Sequence, residues 1–379
     1  MKRYNQGNFI RAQANTDFEY KYFMPSLLPD VFEFEDPNIN VLLEDATQKL
    51  GELNAYSLLV PDIEFFIKMH EVKEATESSR IEGTRTNVDE AVMNEKDISP
   101  EKRDDWHEVQ NYIKALNFAI NKMDELPLAT RLIKETHAVL LSGVRGENKT
   151  PGEIRKSQNW IGGETIRDAR FVPPIHTEID YYLSDLDHYL NDKALSTPIL
   201  IKTAIAHYQF ETVHPFLDGN GRMGRLMIVL HLINRKKLSK PVLYLSDYFS
   251  KHRQGYYAAL DAVRFEGDLE HWIKFFLVAV ADTAKNSCET LQKVINLKEE
   301  VQNKLINYGK RVQNATKIIN SMYSRPIMSV NEIASETNIS YQAANNIVKD
   351  LMNLGILDEI TGAQRSKIYV FDEYLRLFK

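Results

Sequence analysis

The chain is short of several things, and each shortage excludes something. Its only cysteine, Cys288, leaves no internal disulfide framework and fits a reducing compartment, so the expected location is the cytoplasm. No apolar run approaches the roughly eighteen residues that span a bilayer, and the longest, Leu226 to Leu230 and Phe275 to Ala281, read as core helix, so no membrane is expected as a partner. The opening MKRYNQGNFIRAQ carries basic residues with no apolar block behind them and does not read as a secretory signal. The sequence Gly-x-x-x-x-Gly-Lys-Ser/Thr is missing, which excludes a P-loop, and so is His-Glu-x-x-His. A large excess of one charge is also lacking. The net charge of −6 argues against coating nucleic acid or anionic membrane along the whole chain, although a local basic patch stays open.

Helical periodicity dominates from about Val41 to Asn307, and a mainly α architecture follows. At 379 residues, two or three domains are expected. Residues 1 to 40, broken by Pro25, Pro29 and Pro37, read as an irregular or partly ordered arm. A helix is expected from Asp62 to Arg80, ending at Gly83. Asn159-Trp160-Ile161 and Arg170-Phe171-Val172, separated by Gly162-Gly163 and a polar run, predict a β-hairpin. Further helices are expected over Ile179 to Leu190, Thr197 to Thr212, Met223 to Lys236 and Leu269 to Lys285, with Glu289 to Ile306 as a separate interdomain helix. In the last sixty or so residues, helices over Thr316 to Ser324, Val330 to Ala334 and Ser340 to Leu354 precede two strand-like pieces. These are Ile356 to Ile360 and Lys367 to Phe371, joined through Arg365, and together the pattern outlines a winged helix-turn-helix.

The densest chemistry lies in His-Pro-Phe-Leu-Asp-Gly-Asn-Gly-Arg-Met-Gly-Arg, His214 to Arg225. Pro215 pushes His214 out of the α region, so the imidazole stands at a helix end. Phe216 is the large apolar group that can pin the loop to the core. Gly219 and Gly221 permit positive φ, letting backbone N–H groups converge on an anion at the start of the next helix. Arg222 and Arg225, three apart, can clamp two phosphate groups. Asp218 would repel such a guest unless a cation lies between them, which points to Mg²⁺ held by one carboxylate and phosphate oxygens. His214 can accept a proton from an attacking hydroxyl near neutral pH. The inference is phosphate-ester chemistry. A zinc site on His207, Glu211 and His214, at i, i+4 and i+7, is the weaker rival, because it leaves the glycines and arginines idle; His207 is assigned a structural role.

This stretch resembles the Fic family signature His-x-Phe-x-Asp/Glu-Gly-Asn-Gly-Arg-x-x-Arg at every defined position. The resemblance implies a Fic-type helical bundle over roughly residues 100 to 285, with residues 1–99 carrying an inhibitory helix, 286–315 a helical linker and 316–379 the winged module. It implies AMP transfer from ATP to a Ser, Thr or Tyr hydroxyl of a target protein, with His214 as general base and Asp218 on Mg²⁺. Asn220 and the loop amides would bind the α-phosphate region, Arg222 and Arg225 would hold the β- and γ-phosphates, and Phe216, Gly219, Gly221 and Gly224 complete the nucleotide-binding set.

The hairpin would be the family's flap, pairing with an extended target segment, with Phe171 and Val172 as docking residues. Ser78-Ser79-Arg80-Ile81-Glu82-Gly83 resembles the family's inhibitory motif, in which Glu82 would pair with Arg225 and disturb the γ-phosphate. The same glutamate implies an alternative, removal of AMP from a modified target, or both directions in one enzyme. A different alternative is an ATP-sensing transcriptional regulator that binds DNA through Ser340 to Asn346, Arg365 and Lys367. Nine Lys and Arg against seven Asp and Glu in residues 310 to 379 make the electrostatic share of that affinity small, so protein docking or homodimer formation competes with it.

Overall fold

A computed structural model describes residues 5–14, 16, 19–29, 31–60, 62–194, 196–306, 309–362 and 367–379. Arg365, the expected wing contact, lies outside the described residues.

The chain opens with a β-hairpin rather than an irregular arm: β1 (Gly7–Ala12) pairs antiparallel with β2 (Tyr20–Pro25), Phe9 opposite Phe23. The prolines misled, because Pro25 falls at a strand end, where a missing N–H costs nothing. Helices α1 (Asn38–Leu59), α2 (Ile63–Ile81), α3 (Val88–Val92), α4 (Arg103–Lys122) and α5 (Thr130–Leu140) follow. Next come α6 (Ile179–Asn191), α7 (Ile199–Val213), α8 (Asn220–Asn234), α9 (Ser246–Lys251) and α10 (Arg253–Asp261). Helices α7 and α8 are buried almost all round, which marks them as the centre of the bundle.

Leu269–Ile306 is one helix, α11, of 38 residues, not a core helix and a separate linker. No proline or glycine interrupts it, and its apolar stripe continues through Leu291, Val294, Leu297 and Val301, so nothing ends it at residue 285. Helix α1 packs along it, and Lys298 pairs with Asp62 beyond the end of α1.

The C-terminal module consists of α12 (Val312–Ser324), β3 (Ile327–Ser329), α13 (Val330–Thr337), α14 (Tyr341–Asn353), β4 (Asp358–Glu359), β5 (Ile368–Val370) and α15 (Asp372–Leu375). Its three strands order β3-β5-β4, all antiparallel. A capping box between Ser329 and Glu332 starts α13, and Gly355, in the left-handed region, follows α14. The module leans on α2. The Tyr374 hydroxyl donates to the Phe65 carbonyl at 3.2 Å, Phe378 stands edge-on to His70, and Lys379 pairs with Asp89 at 2.8 Å. No described helix is long and apolar enough to cross a membrane.

Candidate active site

Helix α7 ends at Val213, and His214 caps it in the left-handed region, φ 50 and ψ 61, its N–H still bonded to the Phe210 carbonyl at 2.9 Å. Proline at 215 excludes the α region as expected, but the chain turns left-handed instead of extending, a conformation that costs a non-glycine residue of the order of 1 kcal/mol or more. The Nδ1 atom of His214 lies 3.3 Å from the Glu211 carbonyl, which can only accept, so Nδ1 carries the proton and Nε2 keeps its lone pair. Burial, with the Arg264 guanidinium nearby, pushes the imidazole down to about 4, and it is a neutral base at pH 7.

The loop after it is tied from within and from below. The Asn220 side chain accepts from the Phe216 N–H at 2.9 Å and donates to the Phe216 carbonyl at 2.8 Å. Its amide is therefore engaged in shaping the turn, and what Asn220 offers an anion is its backbone N–H. Phe216 is fully buried and stacks on the His137 ring at 3.7 Å, as a pin should. His137 accepts from the Gly152 N–H at Nδ1 (2.9 Å), so its Nε2–H donates to the Asp218 carbonyl at 2.9 Å. Burial pushes its imidazole down to about 4. Sequence reasoning missed His137, because a histidine on the buried face of an amphipathic helix reads as core.

Helix α8 starts at Asn220, three residues before the expected Met223, so the N–H groups of Asn220, Gly221 and Arg222 form its open end, a nest of backbone donors. Gly219 has the predicted positive φ, 74°. Gly221 does not; it is helical, and its lack of a side chain serves close approach, since a Cβ there would lie 2.2 Å from Glu82 Oε1. Gly224 is likewise a packing residue and not part of the nest, because its Cβ would meet Glu211 Oε1 at 2.2 Å. That carboxyl is pushed up to about 7 by burial.

Neither arginine stands open as a phosphate clamp. Arg225, buried, donates from Nε to Ser78 Oγ at 2.9 Å and from Nη2 to the Ser78 carbonyl at 2.8 Å and Glu82 Oε1 at 2.7 Å. Burial would raise the Glu82 carboxyl, but Arg225 overrides it and holds it below the usual carboxylate range. Gly83, at φ 101°, turns the chain away after α2, so that Glu82 ends the helix over the nest. Arg80, two residues earlier, pairs with Glu77 at 2.6 Å and not with Glu82. Arg222 reaches Glu108 at 3.4 Å and Asp218 at 3.6 Å, and Glu108 also takes Arg145 at 2.7 Å and the Thr84 hydroxyl at 2.8 Å. Glu108 and Arg145 gave no sequence signal, because their partners are far away in the chain.

Asp218 accepts from the Gly219 N–H through Oδ1 at 2.6 Å, and its side chain is 43% exposed. Oδ2 has no hydrogen-bond or ion-pair partner among the described residues, so the carboxylate fits the part of a cation ligand. The zinc rival fails. Both His207 nitrogens are engaged, with the Gly224 carbonyl at 3.0 Å and the Tyr256 hydroxyl at 2.8 Å, and no described cluster of His, Cys, Asp and Glu is placed to hold a metal.

Between residues 157 and 174 the predicted hairpin reduces to one antiparallel bridge, Ile161 with Phe171. Gly162 and Gly163 both take positive φ and widen the turn, so the ladder does not extend. Phe171 and Val172 are buried, 2% and 4% exposed; Arg264 lies 4.1 Å over the Phe171 ring, and the Val172 carbonyl accepts from Phe23 N–H at 2.9 Å. The expectation that these two side chains meet a target is corrected, since they belong to the core and the N-terminal hairpin.

The fold and this site together define a helical-bundle protein built around a glycine-rich turn at the start of α8, with a histidine at its entrance. Residues 41–121 match the Fic/DOC family N-terminal model and residues 127–232 the Fic/DOC family model. Protein adenylyltransferase fic-1 of Caenorhabditis elegans is 31% identical over 159 residues, 42% of this chain and 27% of that protein. Protein adenylyltransferase Fic of Aedes aegypti is 31% identical over 158 residues, 41% of this chain and 28% of that protein. The chain thus spans about a quarter of the length of these relatives. A Fic family protein from Desulfovibrio desulfuricans G20 shares the fold, with TM-score 0.57 and 20% identity over 89% of this chain and 97% of that one. Residues 41–121 and 127–232 of the chain are thus Fic-family regions.

Proposed function

We propose that the chain transfers AMP from ATP to a Ser, Thr or Tyr hydroxyl of a target protein and that Glu82 restrains it. The single observation that carries this reading is the Glu82–Arg225 contact over the open end of α8: a carboxylate occupies the guanidinium that would otherwise meet a phosphate. His214 Nε2 takes the proton of the acceptor hydroxyl. The N–H groups of Asn220, Gly221 and Arg222 bind the α-phosphate region, and Arg225, once released, holds the outer phosphates. Asp218 would hold Mg²⁺, which when bound neutralises phosphate charge and favours departure of pyrophosphate. The single cysteine supports a cytoplasmic setting. Incubating the Glu82→Gly protein with labelled ATP and cell lysate tests the reading: AMP on protein supports it, and none on any protein, self included, overturns it.

Removal of AMP is the second direction for the same site, supported by the carboxylate of Glu82 remaining 36% exposed, where it can orient a water. Release of AMP from a pre-modified target by wild type, lost in Glu82→Gly, distinguishes it.

For the C-terminal module we propose a winged helix-turn-helix that docks protein, a second copy of this chain included. Its basic side chains are largely paired: Arg311 with Asp350, Arg325 with Glu332 and Glu336, Lys367 with Glu359 and Arg376 with Asp372. Among the described residues such pairing leaves few free cations of the kind on which phosphate-backbone affinity depends. A salt-dependent mobility shift with duplex DNA would return the module to the DNA-binding regulator reading. We further propose that the segment from 157 to 174 is a flap that meets its target through backbone, since Phe171 and Val172 are buried.

A further inference from the structure

We propose that Arg155 is a positioning residue that rivets His214 to both feet of the segment 157–174 and thereby sets where an acceptor hydroxyl meets the imidazole. This rests on the AMP-transfer reading above. Arg155 is 1% exposed, yet among the described residues its guanidinium meets no carboxylate and donates only to carbonyls. Nε bonds the His214 carbonyl at 2.9 Å, Nη1 the Ser157 carbonyl at 3.0 Å, and Nη2 the Pro174 carbonyl at 2.6 Å and the Val213 carbonyl at 3.4 Å. Its own N–H bonds the Pro215 carbonyl at 2.9 Å.

One planar group therefore joins the end of α7, the left-handed histidine and the two chain positions where the proposed flap begins and ends. Burying a cation without a counter-ion is costly, and bulk packing alone would be served better by an apolar residue. Burial pushes this guanidinium down to about 10, so it stays charged at neutral pH. What the fork supplies is direction: donors spread over three nitrogens in one plane fix three segments relative to one another. The strained φ of His214 is of the kind that persists only where its surroundings over-determine it, and Arg155 and Pro215 supply that constraint. A second tie runs from Asn159 Nδ2 to the Phe216 carbonyl at 3.0 Å.

Lysine keeps the charge and loses the fork, so Arg155→Lys is the informative variant, with Asn159→Ala beside it. Both are made in the full-length Glu82→Gly protein. The readouts are ATP affinity by calorimetry with Mg²⁺ present, and labelled-AMP incorporation at saturating ATP. Misplacing reacting groups by an ångström can remove about two decades of rate, so transfer is expected to fall at least about tenfold in Arg155→Lys and about threefold in Asn159→Ala, with ATP affinity within about threefold of the parent. Transfer within about twofold of the parent in Arg155→Lys, or transfer and ATP affinity falling by the same factor, would overturn the assignment. If Arg155→Lys does not fold, Asn159→Ala decides by the same split between rate and affinity. A Glu82→Gly parent that binds ATP but transfers nothing overturns the AMP-transfer reading itself, and this inference with it.

Discussion

Glu82 Oε1 accepts a hydrogen bond from Arg225 Nη2 at 2.7 Å across 143 residues of sequence, and Ser78, one turn earlier on α2, holds the same guanidinium with its hydroxyl and its carbonyl. Two residues of one motif therefore grip one arginine, and the nest beneath it is closed by a side chain from another helix. Helix α2 is in turn held at its far end by Tyr374 and Phe378 of the C-terminal module.

Releasing that grip should release the activity. A charge-assisted hydrogen bond contributes about 1.5–3 kcal/mol, and the partial exposure of Glu82 places this one toward the low end, so Glu82→Gly is expected to raise AMP incorporation about tenfold or more. Equal labelling of wild type and variant would contradict it.

His214 should set an unusual pH profile. Its folded pKa, pushed down by burial and by Arg264, leaves it unprotonated well below pH 6.5, so the acid limb of transfer should fall below about pH 6 instead of at an ordinary histidine's value. Glu82 acts to raise this pKa, so the limb cannot move upward in Glu82→Gly for want of that carboxylate. A half-maximal rate near pH 6.5 in the released enzyme would show the imidazole to be solvated. His214→Ala should abolish transfer and retain ATP binding.

Chelating divalent ions, or making Asp218→Asn, should lower transfer by the Glu82→Gly protein by about 10²-fold, the scale of losing one electrostatic contact to the developing charge. Calorimetry should show the Mg²⁺-dependent part of ATP affinity reduced in Asp218→Asn. An unchanged metal dependence would remove Asp218 from that role.

Gly224→Ala tests the reassignment of this glycine from binding to packing. An added Cβ would meet Glu211 Oε1 at 2.2 Å and Phe210 at 3.2 Å inside the α7–α8 contact, so a loss of about 1–3 kcal/mol in denaturant unfolding is expected. Stability equal to wild type would show that the helices have room to part.

Phe378→Ala probes the docking of the C-terminal module. Phe378 is 1% exposed, between Phe66 and His70, and its truncation should cost about 3–5 kcal/mol, seen as earlier exchange of α2 amides. Unaltered exchange in α2 would mean that the module does not brace the helix.

The twelve residues from His214 to Arg225 were legible as a candidate site because histidine, carboxylate, glycines and arginines are contiguous, and local geometry follows from local sequence. Pro215 and Gly219 alone dictate where the helix stops and where the chain can turn. The mainly helical class, the positions of α6, α7, α12 and α14 and the end of α2 at Gly83 came from periodicity and caps in the same way. Tertiary structure decided what those groups touch: that Asn220 closes its own loop, that His137 and Arg155 brace the turn, that Glu108 holds Arg222, and that Phe171 and Val172 face inward. The N-terminal hairpin and the unbroken α11 belong here too, since their partners lie far along the chain. Spacing encodes only neighbours within a turn or two, whereas these contacts arise from burial, which brings together groups separated by tens to hundreds of residues and makes each polar one find a partner.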